Sequence, residues 1–217
     1  MLETFKNAWR IEDLRKKILY TLLMLLVYRI GTSFIPIAGM DVAAIKQTVE
    51  GSDILGFLNM ITGGSLAGFT IFAVGISPYI TASIVMQLLT FAIPALERLS
   101  KEGGEEGREK LKRITRYVGI GLALIMSIGM VMSLRSYMIT TDLLSKITMV
   151  LTLTAGACIV MWMGEKITEK GIGNGVSLII FVGIVARLPV TAWSFMQNIF
   201  AGEVNAWALL PIVVIYV

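Results

Sequence analysis

The chain has 217 residues, of which 56% are apolar and 16% are charged, a balance typical of membrane proteins rather than of soluble domains. It contains no histidine and a single cysteine, which excludes a Ser-His-Asp triad, a histidine-ligated metal and an intrachain disulfide. The net charge of +4 is modest, and the basic residues lie at the ends of apolar stretches, which argues against nucleic-acid binding.

Five apolar stretches are long enough, or nearly so, to cross a hydrocarbon core of about 30 Å. They predict an all-α integral membrane fold with five transmembrane helices. A sixth stretch begins at 206 and reaches only to 217, so we expect the chain to be a truncated product, a fragment or one half of something larger. The five predicted spans are 18–37, 71–94, 117–134, 147–163 and 172–190.

The basic residues alternate between loops. Fourteen of the nineteen Lys and Arg residues lie in 1–17, 95–116 and 164–171, whereas four lie in the other loops. Cytoplasmic loops carry the excess of Lys and Arg, so this alternation predicts an N-terminus in the cytoplasm. For 1–17 two interpretations stay open, an amphipathic helix on the membrane surface and a solvated tail.

Residues 54–94 are apolar, about twice as long as one spanning helix, and interrupted by Gly63, Gly64, Gly68, Gly75 and a Ser-Pro pair. Glycine and proline weaken helices, and irregular backbone is tolerated in a membrane only where protein buries it or where it lines a watery cavity. We therefore predict a re-entrant helix at 54–70, which enters from the outside without crossing, ahead of the second span. The alternative is an ordinary outer loop with an interfacial helix.

Two further predictions concern single polar side chains. Arg29 lies within the first apolar stretch, where a charge is costly, and we interpret it as a paired structural arginine; direct contact with a substrate is the alternative. Asn174 lies in the sequence GIGNG, which we interpret as a tight turn rather than a phosphate loop because no strand precedes it. Asn174 is then the predicted N-cap of the fifth span.

Four long motifs resemble the bacterial SecY family of protein-translocation channels. They are RIGTSFIPIAGMD (29–41), FLNMITGGSL (57–66), FAVGISPYITASIVMQLL (72–89) and MGEKITEKGIGNGVSLIIFVGIV (163–185). The basic segment 101–117 is similar to the second cytoplasmic loop of that family. Members have ten spans in two halves related by an inverted repeat, so the resemblance implies that this chain is the N-terminal half.

The resemblance also implies roles for individual residues. A ring of aliphatic side chains would form the waist of the pore, with members at Ile76, Ile80, Ile84, Val176 and Ile180. A plug would close the channel from the outside, with Ile54, Leu55, Phe57, Leu58, Asn59, Met60, Ile61, Gly63, Gly64, Leu66 and Phe69. Polar residues of the second span would face the lateral gate, namely Thr81, Ser83 and Gln87.

The spacing of the implied ring is consistent with a pore. Ile76, Ile80 and Ile84 recur every four residues and so share one helical face, and Val176 and Ile180 have the same spacing. A narrow ring of branched aliphatic side chains excludes water and ions and offers no polar site that would hold a substrate. Packing against lipid or neighbouring helices is the alternative role for these residues.

The family further implies partners and a location. We expect a multi-pass protein of the bacterial cytoplasmic membrane, associated with SecE-like and SecG-like subunits and with the missing C-terminal half. The substrate would be unfolded polypeptide, driven by a SecA-type motor ATPase or by the ribosome, and no cofactor or metal is expected. The basic segment offers a secondary contact for these partners at Lys101, Arg108, Lys110, Lys112 and Arg113; the alternative is a solvated loop.

Three other functions are weighed against this one. Secondary transporters also use inverted repeats, but they usually bury acidic residues at mid-membrane, and the predicted spans two to five contain none. An intramembrane enzyme would need a nucleophile and a base that converge, and the sequence offers no such set. A half-channel that is inactive, or that depends on pairing with a second chain, is the third alternative.

Overall fold

The computed structural model describes residues 11–101, 103–140 and 142–186, together with positions 189, 193 and 197. Over these residues the protein is helical, with two isolated β-bridges and no strand. The predicted stretch at 206–217, most of 1–17 and the end of the predicted fifth span lie outside the described residues. The helices are α1 Glu12–Phe34, α2 Val42–Glu50, α3 Asp53–Ile61, α4 Ser77–Ala92, α5 Pro94–Lys101, α6 Gly104–Ser133, α7 Leu143–Lys170 and α8 Gly175–Val185.

Three of these helices, α1, α6 and α7, are long and apolar enough to cross a membrane. The consecutive helices α4 and α5 meet the same criterion together, although they are bent by 101° at their junction. The apolar α8 is shorter in its described part. Each of the five predicted spans overlaps one of the helices α1, α4, α6, α7 and α8, and α6 and α7 extend well beyond the apolar stretches 117–134 and 147–163 at their charged ends.

Residues 95–116, which connect the predicted second and third spans, are mostly helical. They comprise nearly all of α5 and the first turns of α6, which meet at a corner around Gly103. A methyl group at Gly107 would overlap the carbonyl oxygen of Leu99, so the glycines allow α6 to start directly against α5. The connection predicted between the second and third spans is thus built of packed helices, and its glycines serve close helix packing.

Contacts between helix termini show which of them lie together at each of the two ends of the described helices. At one end the backbone N–H of Ile172 donates to Thr21 Oγ1 of α1 at 3.1 Å. Lys112 of α6 lies 3.0 Å from Glu169 of α7 at the same end. The start of α1, the start of α6 and the end of α7 therefore lie together, and these are the segments that carry most of the basic residues.

The opposite end is formed by the connections that follow α1 and α6. The backbone N–H of Asp41 donates to the carbonyl of Tyr137 at 2.9 Å. The hydroxyl of Thr48 on α2 lies 2.8 Å from the hydroxyl of Tyr137. The stretch from α2 to the start of α4 thus joins the helices at the end away from the basic segments.

Candidate functional site

The chain between α3 and α4, residues 62–76, runs through consecutive turns and is largely buried; we call it the turn segment. The sequence predicted helix over 54–70, and this is wrong beyond Ile61. Gly63 and Gly64 adopt φ angles of 67° and 93°, in the left-handed region that favours glycine. The helix therefore ends where the two adjacent glycines begin.

The turn segment satisfies many of its backbone groups internally. The Oδ1 atom of Asn59, which is 1% exposed, accepts a hydrogen bond from the N–H of Ala67 at 2.9 Å. The hydroxyl of Ser65 lies 2.6 Å from the carbonyl of Thr62 and 3.0 Å from that of Phe72. An irregular chain can remain inside a membrane protein only with such partners, so the segment is built for a buried position.

Glycines on three surrounding helices let the turn segment approach closely. A methyl group at Gly31 of α1 would overlap the ring of Phe72, and one at Gly156 of α7 would overlap the carbonyl of Ile71. A methyl group at Gly183 of α8 would lie 2.9 Å from the carbonyl oxygen of Ile61 and 3.3 Å from the nitrogen of Gly63. The segment is thus enclosed by α1, α7 and α8.

Arg29 of α1 holds the same segment from the side. Its Nη1 atom donates a hydrogen bond to the carbonyl oxygen of Gly63 at 2.8 Å. The prediction of a paired structural arginine is confirmed, with a backbone carbonyl as the partner. Sequence reasoning could not identify this partner, since every residue carries a carbonyl group and only the fold selects one.

The side chains implied as a plug divide into two environments. On α3 the apolar side chains of Ile54, Phe57 and Leu58 are 75%, 63% and 43% exposed. In the turn segment Leu66 and Phe69 are buried, at 6% and 0% exposure. The remaining members are buried at Asn59 and Gly63 and half-buried at Leu55, Met60, Ile61 and Gly64. The described residues therefore leave one apolar face of α3 uncovered.

Three of the five implied ring residues meet at one cavity. Ile80 and Ile84 of α4 and Val176 of α8 line a cavity of about 240 Å³. Its other lining residues are mainly polar, namely Tyr79, Ser83, Lys112, Glu165, Thr168 and Asn174. The cavity lies between α4, α7 and α8 and extends toward the charged end of the helices.

The other two ring residues lie in or against the core. Ile76 is 5% exposed and packs in a buried cluster with Tyr28, Phe72 and Ile179. Ile180 is half-buried and packs against the same cluster. Equal spacing along α4 therefore does not give equal environments, because Ile76 lies at the junction with the turn segment.

The residues implied at the lateral gate do not share one surface. Ser83 lines the cavity, and the Nε2 atom of Gln87 lies 3.5 Å from its hydroxyl. Thr81 is exposed on another face of α4 and donates to the carbonyl of Ser77 at 3.1 Å.

The helix α8 begins at Gly175, three residues after the start of the predicted fifth span, and its first turn is capped. Asn174 Oδ1 accepts hydrogen bonds from the N–H groups of Val176 at 3.0 Å and Ser177 at 3.3 Å. The prediction of an N-cap at Asn174 is confirmed, and this cap fixes where α8 starts beside the cavity.

An ion pair between Arg116 of α6 and Glu165 of α7 closes the charged end of the site. The side chain of Glu165 is only 3% exposed, whereas that of Arg116 is 45% exposed. Sequence analysis did not single out this pair, although opposite charges just outside two successive apolar stretches were a signal for it. The pair compensates the buried carboxylate and joins two helices.

The implied partner residues lie at the end of α5 and in the first turns of α6, and most of them are exposed. Glu169 lies beyond the apolar stretch of α7, and its hydrogen bonds with Lys166 and Lys112 hold the pKa of its carboxyl at about 2. Lys101 pairs with Glu97 at 2.6 Å, and Lys110 pairs with Glu106 at 2.8 Å. Arg108 and Arg113 are exposed, so this end presents a mixed, mainly basic surface.

Known proteins resemble the chain in sequence. The protein translocase subunit SecY of Streptomyces scabiei is 44% identical over 91% of this chain and 48% of its own length. The SecY subunit of Guillardia theta is 46% identical over 86% of this chain and 44% of its own length. The SecY subunit of Corynebacterium glutamicum is 42% identical over 100% of this chain and 52% of its own length. The chain thus spans about half the length of the curated relatives it matches.

The fold has known counterparts as well. A solved protein-conducting channel has a TM-score of 0.67 at 21% identity over 92% of this chain and 44% of that chain. Sec61 in the canine ribosome-channel complex from the endoplasmic reticulum gives the same values. The described helices therefore have a channel fold within a multi-pass membrane protein. A family model of SecY matches residues 70–217, and the chain belongs to the SecY family.

Proposed function

We propose that this chain forms one half of a protein-conducting channel, which passes unfolded secretory polypeptides across the bacterial cytoplasmic membrane and releases membrane segments sideways into lipid. The observation that carries the proposal is the cavity shared by Ile80, Ile84 and Val176. Aliphatic side chains of α4 and α8, two helices that are distant in sequence, line one cavity, and this supports a pore between them.

The mechanism follows from the chemistry of these side chains. Isoleucine and valine offer no hydrogen bonds, so a constriction made of them excludes water and ions when it is empty. The same side chains yield around a passing chain of any sequence, because their contacts are nonspecific. The channel has no chemical step of its own, and the driving force comes from outside.

Closure from the outer side is assigned to α3 and the turn segment. The exposed apolar face at Ile54, Phe57 and Leu58 is suited to cover the apolar ring or the facing half of the channel. Thr81, Ser83 and Gln87 lie on the helix that would border the lateral gate. Of these, Thr81 and Gln87 are exposed and so accessible to a segment leaving the pore.

Orientation and partners follow from the charged end. Its excess of Lys and Arg supports a cytoplasmic location, with the N-terminus on the same side. The exposed residues Lys101, Arg108, Lys110 and Arg113 would then face a SecA-type motor ATPase or a ribosome, and the related Sec61 structure is a ribosome-channel complex. SecE-like and SecG-like subunits and the second half complete the assembly.

The proposal is tested by a fusion of residues 1–217 to the second half of the Corynebacterium glutamicum relative. That relative is chosen because its match covers 100% of this chain. The fusion is reconstituted with the partner subunits and motor ATPase of that bacterium. We expect ATP-dependent protection of a secretory precursor from protease. Normal insertion and assembly without any protected precursor would contradict the proposal.

The alternatives have less support from the described residues. A transporter would need an available acidic group, whereas the buried carboxylate of Glu165 is paired with Arg116. Ion-coupled uptake of a solute by the reconstituted fusion would restore that alternative. Dependence of this chain on a separate second half is tested by native mass measurement after mild extraction, with and without that half.

A further inference from the structure

We propose that Arg29 and Gly183 are positioning residues, which keep the turn segment and α3 in the position that closes the channel. Arg29 holds the carbonyl of Gly63 by a hydrogen bond, and Gly183 leaves room for the backbone of Gly63 against α8. This inference rests on the proposed function and adds to it the contact that sets the balance between closed and open channel.

Three observations converge on Gly63. It is the first residue after the cap of α3, and its φ of 67° turns the chain at the point where helix gives way to turns. Its carbonyl accepts from Arg29 of α1 at 2.8 Å. A methyl group on its own Cα would lie 3.2 Å from the Cα of Gly183 on α8. The start of the turn segment is therefore held between two spans.

The hydrogen bond from Arg29 is well suited to this role. A charge-assisted bond is stronger than one between neutral groups, and a low-dielectric setting strengthens it further. Arg29, Gly63 and Gly64 also line a cavity of about 420 Å³, so there is space beside the contact. Leu66 and Phe69 pack in a separate buried cluster, so the bond from Arg29 is a hold on Gly63 distinct from that core packing.

Asn59 extends the hold to α3. Its side chain accepts from Ala67, and its carbonyl accepts from the N–H of Gly64 at 2.8 Å. These bonds join the last turn of α3 to the turn segment. A contact that positions Gly63 therefore also positions α3. Loss of the Arg29 contact should then release the exposed apolar face of α3 together with the turn at Gly63.

The test uses the full-length fusion described above, carrying Cys158→Ala and Ala67→Cys; the side chain at position 67 is 4% exposed. The variants are Arg29→Met, Arg29→Lys and Gly183→Ala. Arg135→Met serves as the matched control, since Arg135 is an exposed arginine at the same end of the helices as the turn segment. Two rates are measured, resting ion leak and labelling of the thiol at position 67 by a maleimide added from outside.

We expect Arg29→Met to raise both rates by roughly tenfold, the change in an equilibrium when one hydrogen bond of a charged group is lost. Gly183→Ala should also raise both rates, because its methyl group would lie 2.9 Å from the carbonyl oxygen of Ile61 and so displace the start of the turn segment. Arg29→Lys should retain part of the hold, and Arg135→Met should change neither rate. Unchanged leak and labelling in Arg29→Met and Gly183→Ala would overturn the inference. An Arg29→Lys variant as leaky as Arg29→Met would also overturn the inference, because the positive charge that lysine keeps would then have no effect on the leak.

Two checks distinguish failure of this inference from failure of the proposed channel and from global misfolding. Ile80→Ser is included as a leaky reference, so that a leak in Ile80→Ser with none in Arg29→Met rejects the inference and leaves the proposed channel standing. Absence of translocation by the parent fusion rejects the channel itself. Global misfolding is detected by a second labelled position, introduced as Ala123→Cys in the core of α6, which must stay protected in every variant.

Discussion

Ile80 of α4 and Val176 of α8 line the same cavity, although the two helices are separated along the chain by α5, α6 and α7. The meeting of these two side chains is the geometric basis for assigning a pore to this protein. It also defines the first prediction.

Replacement of Ile80 by Ser in the fusion should make the resting channel conduct ions. A hydroxyl at the constriction stabilises water, which an aliphatic ring excludes. Conductance in a planar bilayer is the measurement, and discrete openings above the membrane background are expected. Leu151→Ser is the matched control, because Leu151 is 58% exposed on the outer face of α7 and away from the cavity. Equal conductance in the two variants would reject the assignment of Ile80.

Glu165→Gln should destabilise the packing of α6 against α7. The substitution keeps the size of the buried side chain but leaves the guanidinium of Arg116 without its counter-charge. Since the side chain of Arg116 is 45% exposed and water screens the pair, we expect a loss of about 1 kcal/mol, below the range of about 1.5–3 kcal/mol for a hydrogen bond to a charged group. Thermal unfolding in detergent measures it. Glu97→Gln, in an exposed pair with Lys101, is the control and should leave the melting temperature unchanged.

Gly156→Ala should destabilise the protein strongly, whereas Gly121→Ala should not. A methyl group at Gly156 overlaps the carbonyl of Ile71, while at Gly121 of α6 it meets no atom within 4 Å among the described residues. Overpacking of this kind costs about 1–3 kcal/mol or more. An alanine in an open helical position is neutral or stabilising by up to about 1 kcal/mol. Similar melting temperatures for both variants would show that α7 does not enclose the turn segment.

Asn174→Ala should weaken the first turn of α8 by about 1 kcal/mol, because two backbone N–H groups lose their acceptor. Asn174→Asp keeps an acceptor oxygen and should retain the cap. Hydrogen exchange at Val176 and Ser177 follows the effect directly. Equal protection in Asn174→Ala and the parent chain would mean that the cap contributes nothing.

The features that sequence reasoning predicted correctly depend on local patterns. Asn174 stands between two glycines and directly before an apolar run, so its capping role can be deduced from a few neighbours. The positions of Ile80 and Ile84 on one face follow from helical spacing alone. Helix ends are less local: α6 starts at Gly104 because packing of Gly107 against α5 overrides the tendency of glycines to break helices.

The contacts that hold the site together were not predictable from the same patterns. The partner of Arg29 is a carbonyl group far along the chain, and no side-chain pattern marks it. The approach of Gly183 to Gly63 depends on how α8 crosses the turn segment, which no single segment of sequence determines. Ile76 shares its spacing with Ile80 and Ile84 but lies in the core, because α4 begins immediately after it.

The most direct test of the channel is photo-crosslinking from position 80. A photoreactive residue replaces Ile80 in the fusion, and a secretory precursor is stalled during translocation by a folded domain at its C-terminus. We predict a crosslink between position 80 and the stalled precursor that depends on ATP, and none from the same probe at Leu151, on the outer face of α7. Crosslinking at equal yield from both positions, or none from position 80 with a stalled precursor present, would contradict a pore at Ile80 and Val176.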